Sequence, residues 1–352
     1  MTPGVRTIGE AMEAQRERAF GARCQVGKLN TVDHNRMLSD RDHRRTVAAA
    51  TNVTLVEGSQ SPEHAPNVMI LGEKLQVTFF GVRGSTPCNG PDLARYGGNT
   101  SCVLVSIPGE PPLIFDMGTG LRYLGATWPK DRHFNGTCLL THLHWDHTQG
   151  LPFFAPLLDS DASIDVYGPA QEDGRSLREV LVAAIRPPLF PINVEQFPAA
   201  IRFHDTSDSD FYVGQVRVKA RIIPHVGPTL GFRIEWQGRS IAYLSDHQQP
   251  YDGSYSATPA AFELASGVDL LIHDSQYTQD EFPRKATWGH CTPQYATWFA
   301  AQAGVKRLAL FHHDPMRTDD ALDATCAELS SGDSCQGIQV VAAREGMTIV
   351  IP

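Results

Sequence analysis

The chain has 352 residues, 41% of them hydrophobic, with 30 Lys and Arg against 39 Asp and Glu. No apolar run approaches the roughly 20 residues that cross a bilayer, and the seven cysteines are scattered with no CxxC pair. The Arg-rich start carries Glu10, Glu13 and Glu17 and no apolar leader. These features argue against a membrane protein and a disulfide scaffold, so a soluble cytoplasmic protein with free thiols is expected.

Residues 1–72 hold 9 Lys/Arg and 8 Asp/Glu with few large apolar side chains. They read as an N-terminal extension with one short helix over 8–20, otherwise linker or disorder, and no assigned role. From 73 to 352 the texture is that of a folded domain. LQVTFFGV, SCVLVSI, PPLIFDM and TCLLTH read as strands in that order. VRVKARIIP, TLGFRIEW, RSIAYLS, VDLLIHD and KRLALFH follow, with helical patterns near 174–185, 258–266, 292–303 and 319–330. Strands early and late with helices between predict two sheets covered by helices.

The stretch THLHWDHTQG, residues 141–150, concentrates three histidines and an aspartate behind an apolar strand. His142 and His144, two apart at a strand end, point to one side, while a turn swings Asp146 and His147 toward a second point. Imidazole and carboxylate without thiolate suit zinc, with manganese or iron as substitutes. Further ligand candidates follow later strands: His225 after VRVKARIIP, Asp246 after RSIAYLS and His312 after KRLALF, with His313 beside it. Together they make one metal position of His142, His144, His225 and Asp246, and another of Asp146, His147, Asp246 and His312.

These motifs, with FGVRGSTP, GGNTSC, LIFDMGTG, LIHDSQYT, WGHCTP and LFHHDP in order, resemble the metallo-β-lactamase superfamily from about Leu75 to Pro352. Within it the chain is most similar to the branch of ribonuclease Z and cyclic-nucleotide phosphodiesterases. The resemblance implies an α/β fold: an αββα sandwich of two mixed β-sheets flanked by helices, with two divalent ions at one edge. It also implies His312 in preference to His313 as ligand, Asp116 orienting the ligand loop, and a homodimer. His290 is the implied proton donor, held by Asp274. Thr292 as N-cap, Pro293 at the first helical position and Gly304 at the far end set a helix beside His290, where phosphate oxygens are favoured.

The expected reaction is hydrolysis of a small phosphodiester, such as a 3′,5′-cyclic nucleotide, by a hydroxide between two metals, with Asp146, His290 and Asp274 catalytic. The same site could attack a lactone or β-lactam carbonyl, and a non-catalytic metal sensor is a further reading. His225 and Asp246 stand 21 positions apart, leaving no space for the tRNA-gripping arm the resemblance implies for ribonuclease Z. Residues 73–352 carry 21 basic against 31 acidic residues, which disfavours a nucleic acid. Phe154, Phe190 and Trp288 read as packing or as an apolar wall for a flat group, and Arg83 as an anion contact or a loop salt bridge. Trp145 is expected beneath the metal loop, Cys291 in packing, and His247 as a contributor to substrate or metal binding.

Overall fold

A computed structural model describes residues 74–331 and 337–352; the extension and its expected helix lie outside them. The strands are β1 (Leu75–Gly81), β2 (Cys102–Ser106), β3 (Leu113–Phe115), β4 (Asn135–Leu139), β5 (Ser163–Pro169), β6 (Ala200–Thr206) and β7 (Ser209–Val213). They continue with β8 (Val216–Ile222), β9 (Leu230–Trp236), β10 (Arg239–Leu244), β11 (Leu270–Asp274), β12 (Arg307–Phe311), β13 (Gln339–Ala342) and β14 (Thr348–Ile351). The helices are α1 (Gly120–Thr127), α2 (Trp145–Thr148), α3 (Leu177–Ala184), α4 (Pro259–Ala265), α5 (Phe282–Lys285), α6 (Pro293–Gln302) and α7 (Asp319–Ser331). Among the described residues no helix is long and apolar enough to cross a membrane.

Two seven-stranded sheets form, in the orders β14-β1-β2-β3-β4-β5-β6 and β13-β12-β11-β10-β9-β8-β7. Each is antiparallel over one half and parallel over the other, the change coming at β3 and at β10. The central strands are buried on both faces, and their alternation sorts side chains into layers. Val103, Phe115, Leu139, Phe232, Tyr243, Ile272 and Phe311 fill the space between the sheets. Leu104, Ile114 and Cys138 face outward to Leu121 and Leu124 of α1 and Leu177 and Leu181 of α3. Ala242, Leu244 and Leu271 face Leu264 of α4 and Tyr295 and Phe299 of α6. The result is the expected αββα sandwich.

Helix starts follow their caps. Ser176 and Glu179 form a capping box on α3, and Thr258 and Thr292 each accept an N–H two residues inside a leading proline. Gly304, at φ +66°, closes α6 as the sequence predicts.

The turn after β3 is lashed to the metal-motif helix. Met117 N–H donates to the His147 carbonyl at 2.8 Å, and Gly150 N–H donates to the Met117 carbonyl at 2.8 Å. A Cβ on Gly150 would lie 1.9 Å from the Gly118 oxygen, and one on Gly118 would lie 2.3 Å from the Asp146 oxygen. Both contacts are with backbone, which has nowhere to move. Gly150→Ala is therefore expected to lower stability by about 1–3 kcal/mol, read as a lower urea midpoint with an unchanged m-value.

Candidate metal centre

The parallel halves of both sheets end at one edge, and the predicted ligands gather there, His225 reaching it from the antiparallel strand β8. β4 runs through Leu140 and Thr141 to His142, and His144 takes the N-cap position of the single-turn helix α2. That turn carries Asp146 and His147 inward, both buried. β8 leads to His225, β10 to Asp246 and β12 to His312. Asp116, Asp246 and His312 all stand at positive φ, 58–59°, the left-handed region that costs non-glycine residues energy and clusters at functional sites.

The donor atoms fall into two groups joined by one carboxylate. His142 Nε2 lies 2.8 Å from His144 Nδ1, which lies 3.3 Å from His225 Nε2. Asp246 Oδ1 faces His142 and His225 Nε2 at 3.9 and 3.8 Å. In the other group His147 Nε2 is 3.2 Å from both Asp146 Oδ2 and Asp246 Oδ2. His312 Nε2 is 3.0 Å from Asp146 Oδ2 and 3.4 Å from Asp246 Oδ2. Thus Asp246 presents one oxygen to each group.

Four of the five rings, His142, His147, His225 and His312, are held from behind. Asp116 Oδ2 takes His147 Nδ1 at 2.7 Å, and Asp116 also accepts Thr141 N–H and the Tyr243 hydroxyl, each at 2.8 Å. The Gly289 carbonyl holds His225 Nδ1 at 2.7 Å, and Thr141 Oγ1 is 3.0 Å from His142 Nδ1. Such contacts fix which nitrogen faces an ion. Two supports escaped sequence reading: Gln276 Oε1 receives His312 Nδ1 at 2.9 Å, and Ser85 N–H donates to Asp146 Oδ2 at 2.7 Å. Gln276 Nε2 donates to Ser85 Oγ at 3.0 Å, so the pair forms one brace. Only their placement two residues after Asp274 and within the GVRGSTP turn hinted at it.

The electrostatics divide the imidazoles. Burial, with His147 nearby, keeps His142 well below the usual histidine range, and burial lowers His225 to about 4 against the pull of Asp246. Both therefore keep free lone pairs. Burial also opposes charge on His147 and His312, but the carboxylates outweigh it: Asp146, Asp246 and Asp116 raise His147, and Asp246, Asp146 and Asp274 raise His312 to about 10. The imidazoles likewise overcome burial and hold Asp146 and Asp246 well below the carboxylate range. The pocket is electron-rich and draws positive charge.

His290 is buried at the edge of this centre, its Nδ1 2.9 Å from Asp274 Oδ2 and its ring stacked 5.0 Å from that of His312. Asp274 Oδ1 accepts the Cys291 N–H at 2.9 Å, and the buried Cys291 thiol donates to the Asp274 carbonyl oxygen. His313 turns away to the Ala343 carbonyl.

Several expectations are corrected. Arg83 is fully buried and cannot meet substrate: its guanidinium donates to the carbonyls of Gly97, Asp314 and Arg317 and pairs with Asp319. His247 points into the core, with Nδ1 2.8 Å from His273 Nε2, because its side chain leaves the strand end opposite to that of Asp246. Trp145 is 79% exposed, since the turn that buries Asp146 and His147 rotates it outward. For Phe154 and Phe190 the packing reading holds: Phe154 is core, edge-on to Phe134, and Phe190 meets Phe153 and Phe197. Trp288 remains exposed beside Lys285.

A family model described as the beta-lactamase superfamily domain matches residues 127–313. Ribonuclease Z of the archaeon Haloarcula marismortui is 27% identical over 78% of this chain and 96% of that protein. Ribonuclease Z of a Synechococcus strain is 29% identical over 68% and 85%. The crystal structure of human tRNase Z, short form, matches at 26% identity with a TM-score of 0.54, covering 79% of this chain and 99% of that one. More than half of the chain lies within the family match, and the two sheets meet in the fold that it implies. The chain belongs to the β-lactamase superfamily and is a metal-dependent hydrolase of the metallo-β-lactamase fold, similar to ribonuclease Z.

Proposed function

We propose that this hydrolase cleaves phosphodiesters with two divalent ions, zinc first among them. His142, His144, His225 and Asp246 hold one ion, and Asp146, His147, His312 and Asp246 hold the other. The observation that carries this reading is the split of Asp246, one oxygen toward each group of nitrogens. The donors fit the ions: all are imidazole nitrogens or carboxylate oxygens, the set that suits zinc, manganese or iron. Bound there, the ions would lower the pKa of water toward about 7 and draw charge from the phosphoryl oxygens.

The chain's own residues do the rest. Asp116, Gln276 and the Gly289 carbonyl fix ring orientation. Asp274, held below the carboxylate range by His290 and His312 despite burial, accepts from His290 Nδ1–H, so that the ring can carry a second proton on Nε2 and pass it to the leaving oxygen. A cavity of about 370 Å³ adjoins His225, lined also by Gln248, Gln249, Tyr251 and Thr258, with no Lys, Arg, Asp or Glu. A neutral group attached to the scissile phosphate suits it. That lining and the acidic balance of residues 73–352 support a small phosphodiester such as a 3′,5′-cyclic nucleotide.

The relatives favour a second reading. Proteins named ribonuclease Z align along most of the chain, so a tRNA precursor stands as the alternative substrate, against the expectation drawn from charge. Between His225 and Asp246 lies only the antiparallel β9–β10 hairpin, which favours the small substrate.

Hydrolysis of 3′,5′-cyclic AMP, bis-p-nitrophenyl phosphate and a precursor tRNA should be compared with metal content. Cleavage of the small esters is expected, with activity lost in His142→Ala and reduced about 10²–10⁴-fold in His290→Ala at unchanged metal content. A larger kcat/KM for the tRNA would hand the assignment to the alternative, and no cleavage of any of the three would end the phosphodiesterase reading.

A pH effect follows from His147 and His312. Their pKa values are raised, His312 to about 10, so both carry protons at pH 7 until an ion displaces them. Metal affinity should therefore rise with pH from 6 to 9, with a net release of protons per chain on binding at pH 7. Calorimetry in two buffers of different ionisation enthalpy reads that number; zero release would contradict it.

A further inference from the structure

The two groups of donors are unequal, and the inequality lies in their geometry. Four ligands around a zinc ion at about 2.05 Å stand about 3.3 Å apart, the edge of the tetrahedron. In the inner group of Asp146 Oδ2, His147 Nε2, His312 Nε2 and Asp246 Oδ2, five separations fall between 3.0 and 3.4 Å. The outer group of His142 Nε2, His144 Nδ1, His225 Nε2 and Asp246 Oδ1 spreads from 2.8 to 3.9 Å. The inner group already has the shape of a filled site.

Its members are also better supported and more deeply placed. All four are buried, and each has a second partner: Ser85 N–H on Asp146, Asp116 on His147, Gln276 on His312 and the Ser245 hydroxyl on Asp246. Gly84 seals His312 in place, since a Cβ there would lie 2.4 Å from the ring. The outer group includes His144, exposed at the lip. The inner group has two carboxylates against the single shared one of the outer, so it attracts a dication more strongly.

On the reading that the centre holds two ions, we propose that the inner position fills first and retains its metal, while the outer position exchanges. Enzyme activity then follows free metal through the outer ion alone, and the resting protein in metal-poor conditions is a folded one-metal form. The Ser85–Gln276 brace holds the inner position tight: it positions both Asp146 and His312 and itself touches no ion.

The test is chelation of the two-metal protein with dipicolinate, following metal per chain by atomic emission and the absorption spectrum of a cobalt-loaded sample. The first ion is expected to leave at a chelator concentration at least about tenfold below the second, the margin that supporting hydrogen bonds give. His144→Ala should bind one ion, as firmly as the wild type holds its second. Gln276→Leu should narrow the gap between the two releases about tenfold or more and alter the spectrum of the retained cobalt. Release of both ions together, or loss of the firmly held one in His144→Ala, overturns the proposal and leaves the two-ion reading intact. Saturation at one ion or none would overturn that reading and this inference with it.

Discussion

Five imidazoles and two carboxylates crowd the mouth of this sandwich within a few ångströms of one another, nearly all out of reach of water. Burying charge without compensation costs several kcal/mol per group, so the arrangement is tenable only if positive charge sits among the carboxylates. The carboxylates raise the pKa of His147 and His312, so protons on these rings supply such charge and divalent ions are an alternative source. Much of the surrounding structure serves to hold the donors against that strain: the lashed glycine turns, the left-handed strand ends, and the hydrogen bonds behind four of the five rings.

The division of labour among carboxylates follows. Asp146 and Asp246 face the ion positions. Asp116 stands behind His147, and Asp274 stands behind His290. Four residues of the same chemistry thus perform two tasks, set by which side of an imidazole each one meets. Asp274 lies between His290 at 2.9 Å and His312 at 3.3 Å. Gln276 takes the proton of His312 with better geometry and so leaves that carboxylate to His290.

The sequence made the clustered donor residues legible because each sits just past a strand whose apolar alternation is strong, and because HxHxDH is too dense in imidazole for ordinary packing. Strands β1–β4 and β8–β12 were readable for the same reason. β5 and β6 were not: Ser163–Pro169 mixes polar residues with Gly and Pro, and Ala200–Thr206 is an edge strand with three of its seven residues exposed. α1, starting on Gly120 and holding a second glycine, has little helical signal of its own; packing against the outer face of the first sheet forms it. Arg83, His247 and Trp145 misled for a different reason. Their roles depend on partners remote in sequence or on the rotation of a single turn: two of the carbonyls that hold Arg83 lie 231 and 234 positions away. Gln276 and Ser85 offered only a hint of position, because an amide and a serine announce nothing until the fold brings them together.

The two sheets repeat one plan, each with three antiparallel pairings followed by three parallel ones. In that plan β3 of one sheet corresponds to β10 of the other, and the aspartates just after them, Asp116 and Asp246, share a φ of 59°. One position in the repeated unit has therefore been put to two uses, as a ring's backrest in the first half and as the carboxylate facing both donor groups in the second. The centre belongs to neither half: the first sheet provides His142, His144, Asp146 and His147, the second provides His225, Asp246, His290 and His312. Neither half alone would have a reason to tolerate its own buried acid, so the seam between the halves is held together by the same charges that make it reactive.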